Sequence, residues 1–149
     1  MDKKAITVEN IIKAPISKAW EFWNKPEHIR KWAFASDDWE APEAENDLKE
    51  GGRFRTKMAA KDGSESFDFG GTYTAVQEHK LIEYDMDESL SIGSTEGKKR
   101  HVKVEFAEVP EGVKVIETFD PENVNTEEVQ RGGWQAILNN FKKYAESAS

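Results

Sequence analysis

The last quarter of the chain constrains the fold most. From about residue 126 to 147, Trp134, Ile137, Leu138, Phe141, Tyr144 and Ala145 recur at helical spacing, which predicts a helix roughly 33 Å long with one apolar stripe. Helix propensity alone does not hold such an element in water. Burying about four or five of those side chains is worth on the order of 10 kcal/mol gross, so the stripe must lie on an apolar surface built by the rest of the chain. Asn125 and Glu128 have the spacing of a capping box at its start.

Period-two segments supply that surface. Ile6, Val8, Asn10 and Ile12 share one face of a first strand over residues 5–13. Phe54, Thr56 and Met58 alternate with Arg53, Arg55 and Lys57, giving a strand with a dry side and a wet side. Phe67, Phe69, Gly71, Tyr73 and Ala75 share a face of the next, Ile82, Tyr84 and Met86 of a third, and Val102, Val104 and Phe106 of a fourth. Pro110-Glu111-Gly112 closes a hairpin onto a strand over residues 113–119, with Gly112 expected to take a left-handed turn position. With no long crossover between them, these segments form an antiparallel meander of about six strands.

Two short helices precede the meander. Pro15 stops the first strand and suits a helix start, after which Ile16, Ala19, Trp20 and Trp23 fall on one stripe. Asn24 and Glu27 look like a capping box for a second helix ending near Trp32, with Ile29 and Trp32 inward. Residues 36–50 are acidic and broken by Pro42, which predicts a loop or a frayed edge strand around Trp39 and Glu40. The expected architecture is α+β: one domain over residues 1–149, in which a curved sheet wraps the long C-terminal helix.

Five Trp and eight Phe put much of the apolar material into large rings. That is more than a two-layer core needs, and it points to an apolar cavity under the helix. The candidate lining residues are Trp32 and Trp39 ahead of the meander, Phe54, Phe67, Phe69, Tyr84, Val104 and Glu117 on it, and Gln130, Trp134, Ile137 and Phe141 on the helix. Polar groups on apolar faces, namely Asn10, Glu117, Glu127 and Gln130, are candidates to orient a ligand. Gly132-Gly133 within a helix costs about 2 kcal/mol relative to two alanines, for which close packing of the helix on the sheet is the expected compensation.

A net charge of −8 repels nucleic acid and anionic lipid. The basic run Lys98-Lys99-Arg100 reads as a solvated turn in a polar loop carrying Gly93 and Gly97. With no cysteine there is no disulfide, thiolate nucleophile or Cys-ligated metal. His28, His79 and His101 lack the spacing of a metal site, and the chain carries no phosphate-binding loop, dinucleotide fingerprint or nucleophile elbow. No metal and no cofactor are expected. No apolar run approaches the roughly 18 residues of a membrane span, so a cytoplasmic monomer without membrane insertion is expected.

Several landmarks together resemble a known superfamily. They are Ala14-Pro15, Ala19-Trp20, Trp23-x-x-Pro26-Glu27-His28-Ile29-x-x-Trp32, Gly51-Gly52-Arg53-Phe54, Gly71-Thr72-Tyr73 and Gly133-Trp134-x-x-Ile137-Leu138-x-x-Phe141. In this order they look like the START-like (SRPBCC) superfamily, and within it the bacterial proteins similar to the C-terminal domain of the activator of heat-shock-protein ATPase. The resemblance implies a helix-grip (Bet v 1-like) fold with a hydrophobic cavity and supplies no catalytic residue set. Co-chaperone activity in that family belongs to a protein with a further N-terminal domain, so the leading expectation is a binding protein for a small apolar or amphipathic molecule. A cyclase or hydrolase using Glu117 or Glu127 as general base is the enzyme alternative. A chaperone partner is the third.

Overall fold

The computed structural model describes residues 5–34, 36–86, 100–121 and 126–148. The described elements run β1 (Ile6–Ile12), α1 (Ile16–Asn24), α2 (Pro26–Trp32), β2 (Trp39–Asn46), β3 (Arg53–Ala60), β4 (Ser66–Gln77), β5 (Leu81–Met86), β6 (His101–Val109), β7 (Gly112–Phe119) and α3 (Glu127–Ala148). The strands form one curled antiparallel half-barrel in the order β1-β7-β6-β5-β4-β3-β2. The chain thus meanders from β2 to β7 and closes on β1.

The sheet has seven strands where about six were expected, because residues 39–46, expected as a loop or a frayed edge strand, form a full edge strand. β2 pairs with β3 through a register shift between Glu40 and Glu43, the stretch that contains Pro42. Proline lacks an N–H and is tolerated on an edge or at such an irregularity. A second shift, between Tyr73 and Ala75, pairs Val76 with the buried Ile82, so Val76 faces the core in place of Ala75. A bulge inverts the alternation beyond it.

Local chemistry at the turns overturns one expected signal, the Asn24 cap, and keeps glycine at the turn position expected of Gly112. Asn24 does not cap α2: it ends α1, donating from Nδ2 to the Trp20 carbonyl, while Lys25 precedes Pro26 at the helix start with no side-chain cap. Asn125 lies outside the described residues, and Thr126 Oγ1 accepts from the Val129 N–H at the head of α3. Gly112 opens β7 with φ +146°, and a Cβ there would sit 2.1 Å from the Ile12 carbonyl oxygen. Close approach of β1 as well as backbone geometry demands glycine at that point.

Helix α3 crosses the open side of the sheet and also covers the free edge of β1. Gln135 Nε2 donates to the Glu9 carbonyl, Lys142 Nζ to the Ile11 carbonyl, and the Lys13 N–H donates to Glu146. These bonds satisfy edge groups that would otherwise invite another strand. Between these contacts Asn140 Nδ2 donates to the carbonyls of Trp32 and Phe34, fastening α3 to the end of α2. The core below α3 is led by the fully buried Ile6, Ile12, Ile82, Val102, Val104, Phe119, Leu138 and Phe141.

Candidate functional site

A cavity of about 420 Å³ lies between the first half of α3 and the concave face of the sheet. Period-two alternation builds its floor: β3 contributes Phe54, Thr56 and Met58, β4 Phe67, Phe69 and Tyr73, β5 Ile82, Tyr84 and Met86, and β7 Glu117. Helix spacing builds its roof from Val129, Gln130, Gly133, Trp134 and Ile137. Trp23, Ile29, Trp32 and Trp39 close the side next to α1, α2 and β2. Val129 is 60% exposed. It places the mouth of the cavity beside the start of α3.

The rings are held by one another. Phe54 meets Tyr84 edge-on at 4.7 Å between centroids and lies 5.1 Å from Tyr73, and Phe69 meets Trp134 at 5.9 Å. Such tilted and T-shaped pairs add to burial and fix ring orientation.

Ten of the twelve candidate residues named from the sequence line this cavity: Trp32, Trp39, Phe54, Phe67, Phe69, Tyr84, Glu117, Gln130, Trp134 and Ile137. Val104 and Phe141 do not. Val104 is fully buried between its cross-strand neighbours Ile82 and Glu117, whose longer side chains make the wall there. Phe141 is fully buried one turn too far along α3, wedged 4.8 Å from the Trp23 ring and 4.9 Å from Trp32.

Other expectations change as well. Arg100 is no solvated turn residue: it is 6% exposed, lines the cavity, and donates from Nε to the Asp120 carbonyl. Lys98, Lys99, Gly93 and Gly97 lie outside the described residues. Arg100 stands two residues before Val102, so the parity of β6 already put it on the inner face. Glu127 is exposed and pairs with Arg131 at 3.5 Å, away from the cavity. Asn10 donates to Asn139 Oδ1 at the β1 edge. Gly133 does not pack closely on the sheet, since a Cβ there would meet nothing within 4 Å.

The polar groups gather on the floor. Glu117 is flanked across the strands by Val8 and Val104, both buried, and this apolar setting pushes its carboxyl up from the usual 4.5 to about 8. Burial raises the Tyr84 phenol well above its usual value; the negative charge of Glu117 and the neighbouring Tyr73 add to the rise and Arg100 offsets it. Tyr73 is also raised by burial, and its hydroxyl donates to Asn46 Oδ1. By contrast the Glu117 carboxyl and the Tyr84 hydroxyl make no hydrogen bond or ion pair among the described residues.

The histidines are satisfied elsewhere. His28 Nδ1 meets the Tyr144 hydroxyl at 2.6 Å, and His101 lies between Asp85 and Glu83 on the outer face. Among the described residues no group of three or more His, Asp or Glu is placed to hold a metal ion. No described helix is long and apolar enough to cross a membrane.

The family described as activator of Hsp90 ATPase homolog 1-like protein matches residues 13–146. The chain belongs to that family. A solution structure of the AHSA1-like protein from Aeromonas hydrophila is 43% identical, covers 97% of this chain and 93% of its own, and superposes with a TM-score of 0.85. A protein of Cytophaga hutchinsonii is 49% identical over 97% of this chain and 93% of its own, with a TM-score of 0.76. A crystal structure from Chromobacterium violaceum, 17% identical with a TM-score of 0.81, covers 97% of this chain and 99% of its own and shares the fold. No curated protein matches the chain. The START-like superfamily and its helix-grip fold are those of this AHSA1-like protein.

Proposed function

We propose that this AHSA1-like protein binds a small hydrophobic or amphipathic molecule in the cavity under α3. The observation that carries the reading is about 420 Å³ of space walled by aromatic rings with a buried carboxyl on its floor. Ligand sites are typically apolar concavities of this size with a few convergent polar groups. Gly133 supports it, because a helix tolerates glycine at a cost of about 1 kcal/mol, and here the missing side chain leaves room instead of contact. The acidic, cysteine-free chain fits a one-domain cytoplasmic monomer that needs no cofactor.

Native mass spectrometry of protein purified from its own host, followed by titration with a lipid, polyketide and flavonoid panel, tests the reading. A retained mass, or saturable shifts of Trp134 and Phe54 signals, supports it. A protein that carries nothing and shifts with no member of the panel does not act as a receptor.

Glu117 favours a second reading as an enzyme. A buried carboxyl with a pKa of about 8 inside a cavity is suited to general acid–base work near neutral pH. In that case Glu117→Gln abolishes turnover of the bound molecule while leaving its affinity intact. The family's name also points to a heat-shock ATPase. The unsatisfied groups lie inside the cavity rather than on an outer face, which favours a small ligand over a chaperone.

A further inference from the structure

Resting on the ligand-binding reading, we infer that the bound molecule presents a hydrogen-bond acceptor oxygen, a carbonyl or a carboxylate, to the Glu117 carboxyl and the Tyr84 hydroxyl acting together as donors.

Both groups come from the sheet floor, Glu117 from β7 and Tyr84 from β5, and both line the cavity at 5% and 7% exposure. No fully occluded side-chain nitrogen or oxygen among the described residues lacks a partner. The Glu117 oxygens, having none, therefore reach the free space of the cavity. A ligand atom that bonds there gives a buried polar group the partner that the protein does not supply.

The sign of the ligand group follows from who carries the protons. Burial keeps Glu117 protonated through neutral pH and raises Tyr84 still further from ionisation, so at pH 7 each has an O–H to give. The other titratable or charged lining groups are Tyr73 on β4, whose hydroxyl is spent on Asn46, and the guanidinium of Arg100 ahead of β6. Among the described residues, α1, α2, β2, β3 and α3 bring no ionisable group to the cavity wall. A cationic ligand would meet Arg100 and two donors. An acceptor oxygen meets a field of the right sign, the arrangement by which a phenol and a neutral carboxylic acid in an apolar pocket hold a carbonyl oxygen.

Four probes of one size test this: 2-acetylnaphthalene, 2-naphthoate, 2-ethylnaphthalene and 2-naphthylmethylammonium, titrated by NMR into the full chain. Either acceptor is expected to bind about tenfold or more tightly than 2-ethylnaphthalene, the scale of two modest hydrogen bonds. Which of the two acceptors is tighter tells a carbonyl from a carboxylate source. The carbonyl stretch of 2-acetylnaphthalene should move to lower frequency on binding. Tyr84→Phe and Glu117→Leu should each weaken the ketone several-fold and leave 2-ethylnaphthalene unchanged. Glu117→Gln keeps a donor and should retain ketone binding, while removing the loss of affinity that wild type shows above about pH 8. Equal affinity for ketone and hydrocarbon, or tightest binding of the ammonium, overturns this inference and leaves the cavity reading standing. Failure of all four probes to bind removes both.

Discussion

The indole of Trp134 lies flat on the ring of Phe119, with centroids 3.9 Å apart and planes within 10°. Phe119 is fully buried at the end of β7, whereas Trp134 turns its other contacts to the cavity and to Phe69. One side chain thus clamps α3 to the sheet and serves as roof. Because the clamp is partly open to the cavity, Trp134→Ala is expected to cost about 3–4 kcal/mol in urea unfolding, the lower part of the range for losing an aromatic. Trp134→Phe keeps a ring over Phe119 and should cost clearly less. Equal losses for the two variants would mean that the stack does not hold the helix.

Glu117 should lower stability at neutral pH. Its folded pKa is raised to about 8 from 4.5, so between those values the unfolded chain gives up a proton that the folded chain keeps. The contribution is fully present below about pH 4.5 and is lost as pH rises to about 8. With about 1.4 kcal/mol per pKa unit, the loss amounts to several kcal/mol. Glu117→Gln has no proton to lose. Its urea midpoint should exceed that of wild type at pH 8, and the gap should close towards pH 4. A gap that is independent of pH would contradict the buried, neutral carboxyl.

The adjacent glycines of α3 separate stability from room for a ligand. A Cβ at either Gly132 or Gly133 would meet no atom within 4 Å beyond its own turn of helix, but only Gly133 lines the cavity. Both Gly132→Ala and Gly133→Ala should raise stability by about 0.8–1 kcal/mol in thermal or urea unfolding. Gly133→Leu should fill the cavity and abolish saturable ligand shifts, with Gly132→Leu leaving them unchanged. If both leucine variants bind as wild type does, the space beneath Gly133 is not the ligand's.

Much of this site is legible from periodicity. The inward parity of β3, β4 and β5 places Phe54, Phe69 and Tyr84, and the same parity would have added Thr56, Met58 and Tyr73, or Arg100 by counting back from Val102. Two things escape such counting. Parity gives the face of a residue but not its depth, so Val104 and Phe141 face inward and yet are covered by longer neighbours. Parity also fails past a bulge, as at Ala75 and Val76. The edge strand β2 was obscured by its Glu and Pro residues, which suit an exposed edge and for that reason weaken a strand pattern. The role of Gly133 depends on what lies opposite it, which no local signal carries.

His101 offers a second pH dependence, on the outer face of the sheet. Its Nδ1 lies 2.8 Å from Asp85 and its Nε2 2.8 Å from Glu83, both on β5. Burial draws its pKa down, but the hydrogen bonds to Asp85 and Glu83 outweigh that and leave it raised above 6.5. Only the imidazolium can donate from both nitrogens at once. The unfolded chain loses its proton first as pH rises, so the stabilisation is full below about pH 6.5 and disappears as pH passes the raised folded value. Glu117 changes stability in the same direction, so the measurement belongs in a Glu117→Gln background. There, the urea midpoint should still fall as pH rises past about 6.5, and His101→Gln should flatten it. The site is 40% exposed, so 1 M salt should shrink the effect. A slope that survives His101→Gln would assign the dependence to another group.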